Sequence, residues 1–175
     1  ENTGFTVTTT VNNKSNITLS DNGTGIYAEN SNVSNTGTIT TGDKTGTGYS
    51  MGIYGKDSTV TNTGDIKVNV TNGGVLTVGN IGKNRVLTLN NKIEVGNPSA
   101  GTITGSILGL TESKIILGAS SQLITENAMT GVSAAGASSA GGYEVTNQGK
   151  ITIGKEAAGI YVSDGAEALN DSGQI

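Results

Sequence analysis

The sequence predicts an all-β chain wound as a right-handed parallel β-helix, a solenoid of about seven coils of 22–27 residues. Three observations carry that expectation. A unit recurs at a fixed offset, the apolar residues alternate with polar ones, and the corners between apolar runs are spelled in turn residues. Gly25-Ile26-Tyr27-Ala28-Glu29-Asn30-Ser31-Asn32-Val33-Ser34-Asn35-Thr36-Gly37-Thr38-Ile39 returns 27 residues later as Gly52-Ile53-Tyr54-Gly55-Lys56-Asp57-Ser58-Thr59-Val60-Thr61-Asn62-Thr63-Gly64-Asp65-Ile66. Val145-Thr146-Asn147-Gln148-Gly149-Lys150-Ile151 repeats its second half, Gly159-Ile160-Tyr161-Val162 its first, and Leu169-Asn170-Asp171-Ser172-Gly173-Gln174-Ile175 closes a further turn.

Taken in order, the elements are short strands. Thr6-Val7-Thr8, Ile17-Thr18-Leu19, Ile66-Lys67-Val68-Asn69-Val70, Val86-Leu87-Thr88-Leu89, Ile93-Glu94-Val95 and Ile151-Thr152-Ile153 alternate with a period of two, and no stretch holds helical spacing for more than a turn. Parallel stacking of one strand per coil places Ile26 over Ile53, Val33 over Val60 and Ile39 over Ile66 at about 4.8 Å, so the expected rod is about 34 Å long. Gly37 and Gly64 are expected to turn the chain at positive φ. Asn35 and Asn62 fall at the same corner, where their amides can bond to the coils above and below. The 27-residue constancy of register disfavours the other reading, an antiparallel sandwich. From Thr71 to Gly142 strand character continues but the repeat fades. Two stretches of small residues, 41–50 and 128–142, are expected to loop off the rod as insertions. The chain is expected to be one β-helical segment over 1–175, a piece of something longer.

Composition removes several functions. The 175 residues hold 28 Gly, 26 Thr, 19 Asn and 16 Ser, one Pro, and no Cys, His or Trp. Without His or Cys there is no Ser-His-Asp or Cys-His nucleophile, no zinc site of the usual ligands, no haem or iron–sulfur ligation and no disulfide. No catalytic, cofactor or metal residue is therefore assigned. A net charge of −4, a single arginine (Arg85) and 3% aromatic content argue against nucleic-acid binding. No apolar run has the length of a membrane-spanning helix.

Short motifs read as turns. Asp43-Lys44-Thr45-Gly46-Thr47 spells the phosphorylation sequence of P-type ATPases, but Gly48-Tyr49 follows where that family continues with an apolar residue and Thr. Gly46-Thr47-Gly48 with Gly52 misses dinucleotide-binding spacing by one residue. Asp21-Asn22-Gly23 lacks the following oxygen ligands of a calcium loop. Parallel β-helices also include carbohydrate-active enzymes, which need a carboxylate pair. The expected alignments give none: Glu29 falls beside Lys56, Asn30 beside Asp57, Thr38 beside Asp65 and Glu144 beside Ala168. Glu29 and Lys56 read instead as a surface ion pair. Asp57 and Glu94, from different corners, are the carboxylates whose convergence the alignment does not decide. The binding candidates are Tyr27, Tyr54 and Tyr161, which alternation turns outward if Ile26, Ile53 and Ile160 face the core. An exposed aromatic row beside Asn and Ser suits a sugar ring or a protein partner.

The Gly-Ile-Tyr-Ala and Ser-x-Val-x-Asn-Thr-Gly-x-Ile unit, over Ile17 to Ile66 and Tyr143 to Ile175, resembles the passenger regions of type V autotransporters, especially the very large RadD-type outer-membrane adhesins. The resemblance implies a monomeric passenger segment on the surface of a Gram-negative cell, attached to the membrane only through a C-terminal barrel outside this chain. Its partners would be host-cell or bacterial surface proteins or glycans, with no cofactor and no enzymatic activity. The missing cysteines suit export through an oxidising periplasm. A lyase or glycosidase and a phage-fibre-like repeat module are the alternatives.

Overall fold

In a computed structural model, the chain is described over residues 9–44, 50–70, 74–95, 101–110, 112–124, 130–136, 139 and 142–175. The strands come in triplets. The first coil holds β1 (Thr9–Asn13), β2 (Ile17–Thr18) and β3 (Thr24–Glu29), and the second β4 (Ser31–Asn35), β5 (Ile39–Lys44) and β6 (Met51–Lys56). The third holds β7 (Thr59–Asn62), β8 (Ile66–Val70) and β9 (Gly74–Lys83), and the fourth β10 (Val86–Leu89), β11 (Lys92–Val95) and β12 (Gly101–Leu110). The fifth holds β13 (Lys114–Leu117), β14 (Gln122–Ile124) and β15 (Thr130–Ala135), and the sixth β16 (Val145–Asn147), β17 (Lys150–Thr152) and β18 (Ala158–Ser163). β19 (Ala168–Asn170) opens the next.

Each third strand lies on the same face, so the first face is seven strands deep and the second and third are six. Every strand pairing is parallel, which excludes the sandwich and makes the fold a parallel β-solenoid. The predicted stacking of Ile26 on Ile53, Val33 on Val60 and Ile39 on Ile66 is present. Coil length is less uniform than predicted. Val11 to Val33 is 22 residues, whereas Ile115 to Val145 is 30, beyond the 22–27 expected.

Three faces enclose one aliphatic core. The second face contributes Ile17, Ile39, Ile66, Ile93, Leu123 and Ile151 as one column. The first contributes Val33, Val60, Leu87, Ile115 and Val145. Fully buried members such as Ile39 and Ile66 are worth about 1.5–3 kcal/mol each. The third face places small residues, Ala28, Gly55, Gly82, Gly109 and Ala134, in one inward column. An added Cβ at Gly55 or Gly82 would press on Val60 or on Ile115 and Leu87, so the first and third faces converge too closely there for larger side chains.

The Asn corner forms as predicted. Asn35 Nδ2 donates to the Gly37 carbonyl at 2.7 Å and to Asn62 Oδ1 at 2.5 Å, while Asn13 Nδ2 donates to Asn35 Oδ1 at 2.6 Å. Asn147 and Asn170 repeat the arrangement at the other end. Between them the same column holds Leu89 and Leu117, both fully buried.

Several expectations are corrected. Gly37 and Gly64 are not in the left-handed region; glycine is required because an added Cβ would stand 2.0 Å from the Ser15 or Gly37 carbonyl oxygen of the coil before. The corner that repeats the left-handed conformation is the one between the third and first faces, where Asn30, Asp57, Asn84 and Glu112 have φ between 50° and 63°, while between the first and second faces Asn91 and Ser172 take it. Asn and Asp tolerate that conformation because their short polar side chains bond locally. The stretch 128–142 is not a single loop excursion. Thr130–Ala135 is β15, with Val132 and Ala134 buried in the core. Of 41–50, the part from Thr41 to Lys44 ends β5 and Ser50 is buried, while 45–49, which hold most of the phosphorylation-like motif, lie outside the described residues.

Candidate functional site

Alternation along the third face fixes what points outward. With Ile26 and Ile53 in the core, Tyr27 stands directly over Tyr54 in register. Their rings stack with centroids 5.1 Å apart and planes 7° from parallel, an arrangement worth about 0.5–1.5 kcal/mol beyond the area it covers. Tyr27 is 65% exposed, so the dyad offers one open ring face to solvent and Tyr54 lies partly beneath it.

Tyr161 occupies the same outward column and is 58% exposed, but it does not join the dyad. The column runs Tyr27, Tyr54, Ile81, Leu108, Ser133, Tyr161 across β3, β6, β9, β12, β15 and β18. Four strand spacings, about 19 Å, therefore separate Tyr54 from Tyr161. Sequence reasoning missed Ile81 and Leu108, which continue the aromatic pair as an apolar column, Ile81 buried and Leu108 half-buried. Their signal was available as outward positions of β9 and β12, but the repeat that would have aligned them had already faded.

Charge borders the stripe at the dyad end. Lys56 Nζ forms an ion pair with Glu29 Oε1 and lies 3.9 Å from Asp57 Oδ2. Tyr27 Oη donates to Glu29 Oε2 at 3.2 Å. The Lys56 ammonium, by hydrogen bond and charge, holds the Glu29 carboxyl below the ordinary carboxylate value, and Glu29 in return raises Lys56. Tyr27 is also raised, chiefly because its phenol proton is committed to Glu29. The expected ion pair is thus present, and it fixes the orientation of the outer tyrosine.

The carboxylate alignments are partly different from those expected. Glu144 does not lie beside Ala168; Val145 does, so Glu144 faces Glu167 of the next coil. Glu144 is buried, and its Oε2 accepts the Glu167 backbone N–H at 2.6 Å. That carboxylate is occupied in closing a corner. Asp57 and Glu94 stay apart, Asp57 at the corner after the third face beside Asn84, Glu94 on the second face with Lys92 at 2.8 Å. Among the described residues, no group of three or more acidic side chains is placed to hold a metal ion.

No protein-family model, curated protein or solved structure matches this chain.

Proposed function

We propose that this chain is a segment of a surface-exposed adhesin of the autotransporter kind, an elongated β-helical stalk that contributes to binding of surface proteins or glycans of host or bacterial cells. The observation that carries the reading is the outward column of the third face. Aromatic and aliphatic side chains follow one another there on successive coils, on a chain otherwise rich in Thr, Ser and Asn. A stacked, half-open tyrosine pair anchored by an ion pair is a rigid contact surface with little side-chain entropy left to lose on binding. The absence of His and Cys and the parallel stacking of every strand pair fit a stalk more simply than a catalyst. On this reading the protein acts outside the cell, as a monomer, without a cofactor.

The test is adhesion. Replacing Tyr27 and Tyr54 by Ser should lower binding of the folded chain to cells at least about tenfold if both rings are interface anchors. Unchanged binding with an unchanged melting temperature removes the tyrosine face from the reading. A second reading, a carbohydrate-active β-helix enzyme, is favoured only by Glu144 facing Glu167. New reducing ends on incubation with a panel of polysaccharides, lost in Glu167→Gln, would establish it over the first.

A further inference from the structure

Corner length along the edge between the first and second faces is regular except in two coils, the fifth and the last. From the last inward residue of the first face to the first inward residue of the second, the chain advances four positions at Asn35 to Ile39, Asn62 to Ile66, Leu89 to Ile93 and Asn147 to Ile151. In the fifth coil the same step, Leu117 to Leu123, takes six, and in the last, Asn170 to Ile175, it takes five. The two extra residues of the fifth coil, Ala119 and Ser120, stand exposed in a turn, and Ser172 of the last coil takes a φ of 63°. The short corner of the sixth coil is therefore recessed between two lips. The result is a cleft of about 440 Å³ over Gly149.

We propose that this cleft is a binding site for an acidic saccharide, that is, a polyhydroxylated ligand carrying one carboxylate. Its volume lies within the roughly 300–1,000 Å³ of small-molecule sites. Gln122, Lys150 and Gln174 lie in register on three successive coils, so an amide, an ammonium and an amide follow one another along one wall. No carboxylate among the described residues pairs with the Lys150 ammonium, and none lines the cleft. Asp171, at its border, accepts a hydrogen bond from Gln148 Nε2 at 3.0 Å, which fixes that amide and leaves its oxygen to accept from a ligand hydroxyl. The Ser121 hydroxyl lies buried beneath the cleft, against Gly149, with no hydrogen-bond partner. Amides and hydroxyls on both lips suit a ring bearing hydroxyls, and the lone cation suits its carboxylate. This site lies away from the tyrosine stripe and does not depend on the adhesive reading.

Titrating the isotopically labelled 175-residue chain with glucuronic acid, glucose and acetate, and following backbone amide shifts, tests it. Glucuronic acid should give saturable shifts at Ser121, Gly149 and Lys150, glucose weaker ones at the same residues, and acetate none that saturate. Lys150 is exposed, so Lys150→Met should keep the melting temperature, weaken glucuronic acid about tenfold, the loss expected for a hydrogen bond to a charged group, and leave glucose within about twofold. Gln148→Ala should weaken both sugars. The proposal is overturned if no ligand shifts these residues, if acetate matches glucuronic acid, or if Lys150→Met leaves the preference for the acid intact.

Discussion

The outer coils and the middle coils reach the same geometry with different chemistry. In the coils that contain Asn13, Asn35 and Asn62, and again at Asn147 and Asn170, the corner is held by amides, fully buried at Asn35, Asn62 and Asn147, that bond to one another and to the carbonyls they overhang. In the fourth and fifth coils, Leu89 and Leu117 fill that column with hydrocarbon. The parallel pairing continues through both, with one register shift between Thr41 and Lys44 at the end of β5. The backbone ladder and the aliphatic columns thus set the coil, and the amides make the corner specific, because a buried amide is tolerated only where its hydrogen bonds are met.

Breaking a corner at its backbone should have the largest effect. Gly64→Ala would set its Cβ 2.0 Å from the Gly37 carbonyl oxygen, so a coil must shift, and a loss of about 3 kcal/mol or more is expected in chemical denaturation. At the fifth-coil corner the glycine is Gly118, one residue after Leu117 rather than two, and a Cβ there first meets the end of the Asn90 side chain, which can swing away, so Gly118→Ala should cost about 1 kcal/mol. Equal losses at the two positions would contradict the distinction between the regions.

A smaller effect is expected from exchanging the corner chemistry. Asn62→Leu leaves the Gly64 carbonyl and the Asn35 amide each one partner short and should cost about 1–3 kcal/mol. Combining it with Asn35→Leu should cost less than the two single changes added together, because the bond between coils is lost only once. Strict additivity in a double-mutant cycle would show that the ladder does not act as a unit.

The smallest effect is electrostatic. Glu29 has its carboxyl lowered by Lys56, so the pair adds stability above the unfolded carboxylate value and loses it as pH falls through the folded one. Lys56 is raised by Glu29, so its share is complete below the unfolded lysine value and fades as pH rises through the folded one. Both groups are open to solvent, so the melting temperature of Glu29→Gln should differ only slightly from the parent at neutral pH, and the difference should vanish in strong acid or high salt. A large, salt-independent loss would place this pair in a more buried role than its surface position allows.

How far the sequence disclosed this molecule follows from the same contrast. Where Asn35 and Asn62 repeat, the 27-residue offset gave the register, the stacked Tyr27 and Tyr54 and the Glu29–Lys56 pair correctly. In the middle the repeat faded because Leu stands where Asn stood: the strand register is kept, while the corner after it changes, with Asn91 at a φ of 97° and two extra residues after Leu117. β15 was hidden for another reason. Its Gly, Ser and Ala composition resembles a loop, yet the convergence of the first and third faces demands small residues in that column from the first coil through the fifth, before Val162 takes the place in the sixth. The left-handed corner escaped notice because Asn30, Asp57, Asn84 and Glu112 share a tolerated φ and little else. The cleft over Gly149 was legible only as a difference in corner length, which requires the register to be known first.

Register is the claim on which all of this stands, and the cysteine-free chain makes it directly measurable. Thr40 and Lys67 are partners on adjacent strands of the second face, at a spacing of about 4.8 Å that a disulfide can bridge. Oxidation of the Thr40→Cys/Lys67→Cys chain should yield an intramolecular cross-link rapidly and nearly completely, whereas Thr40→Cys/Asp65→Cys, two positions out of register, should not. Failure of the first pair to close, or equal closure of both, would contradict a parallel solenoid with Ile39 stacked on Ile66.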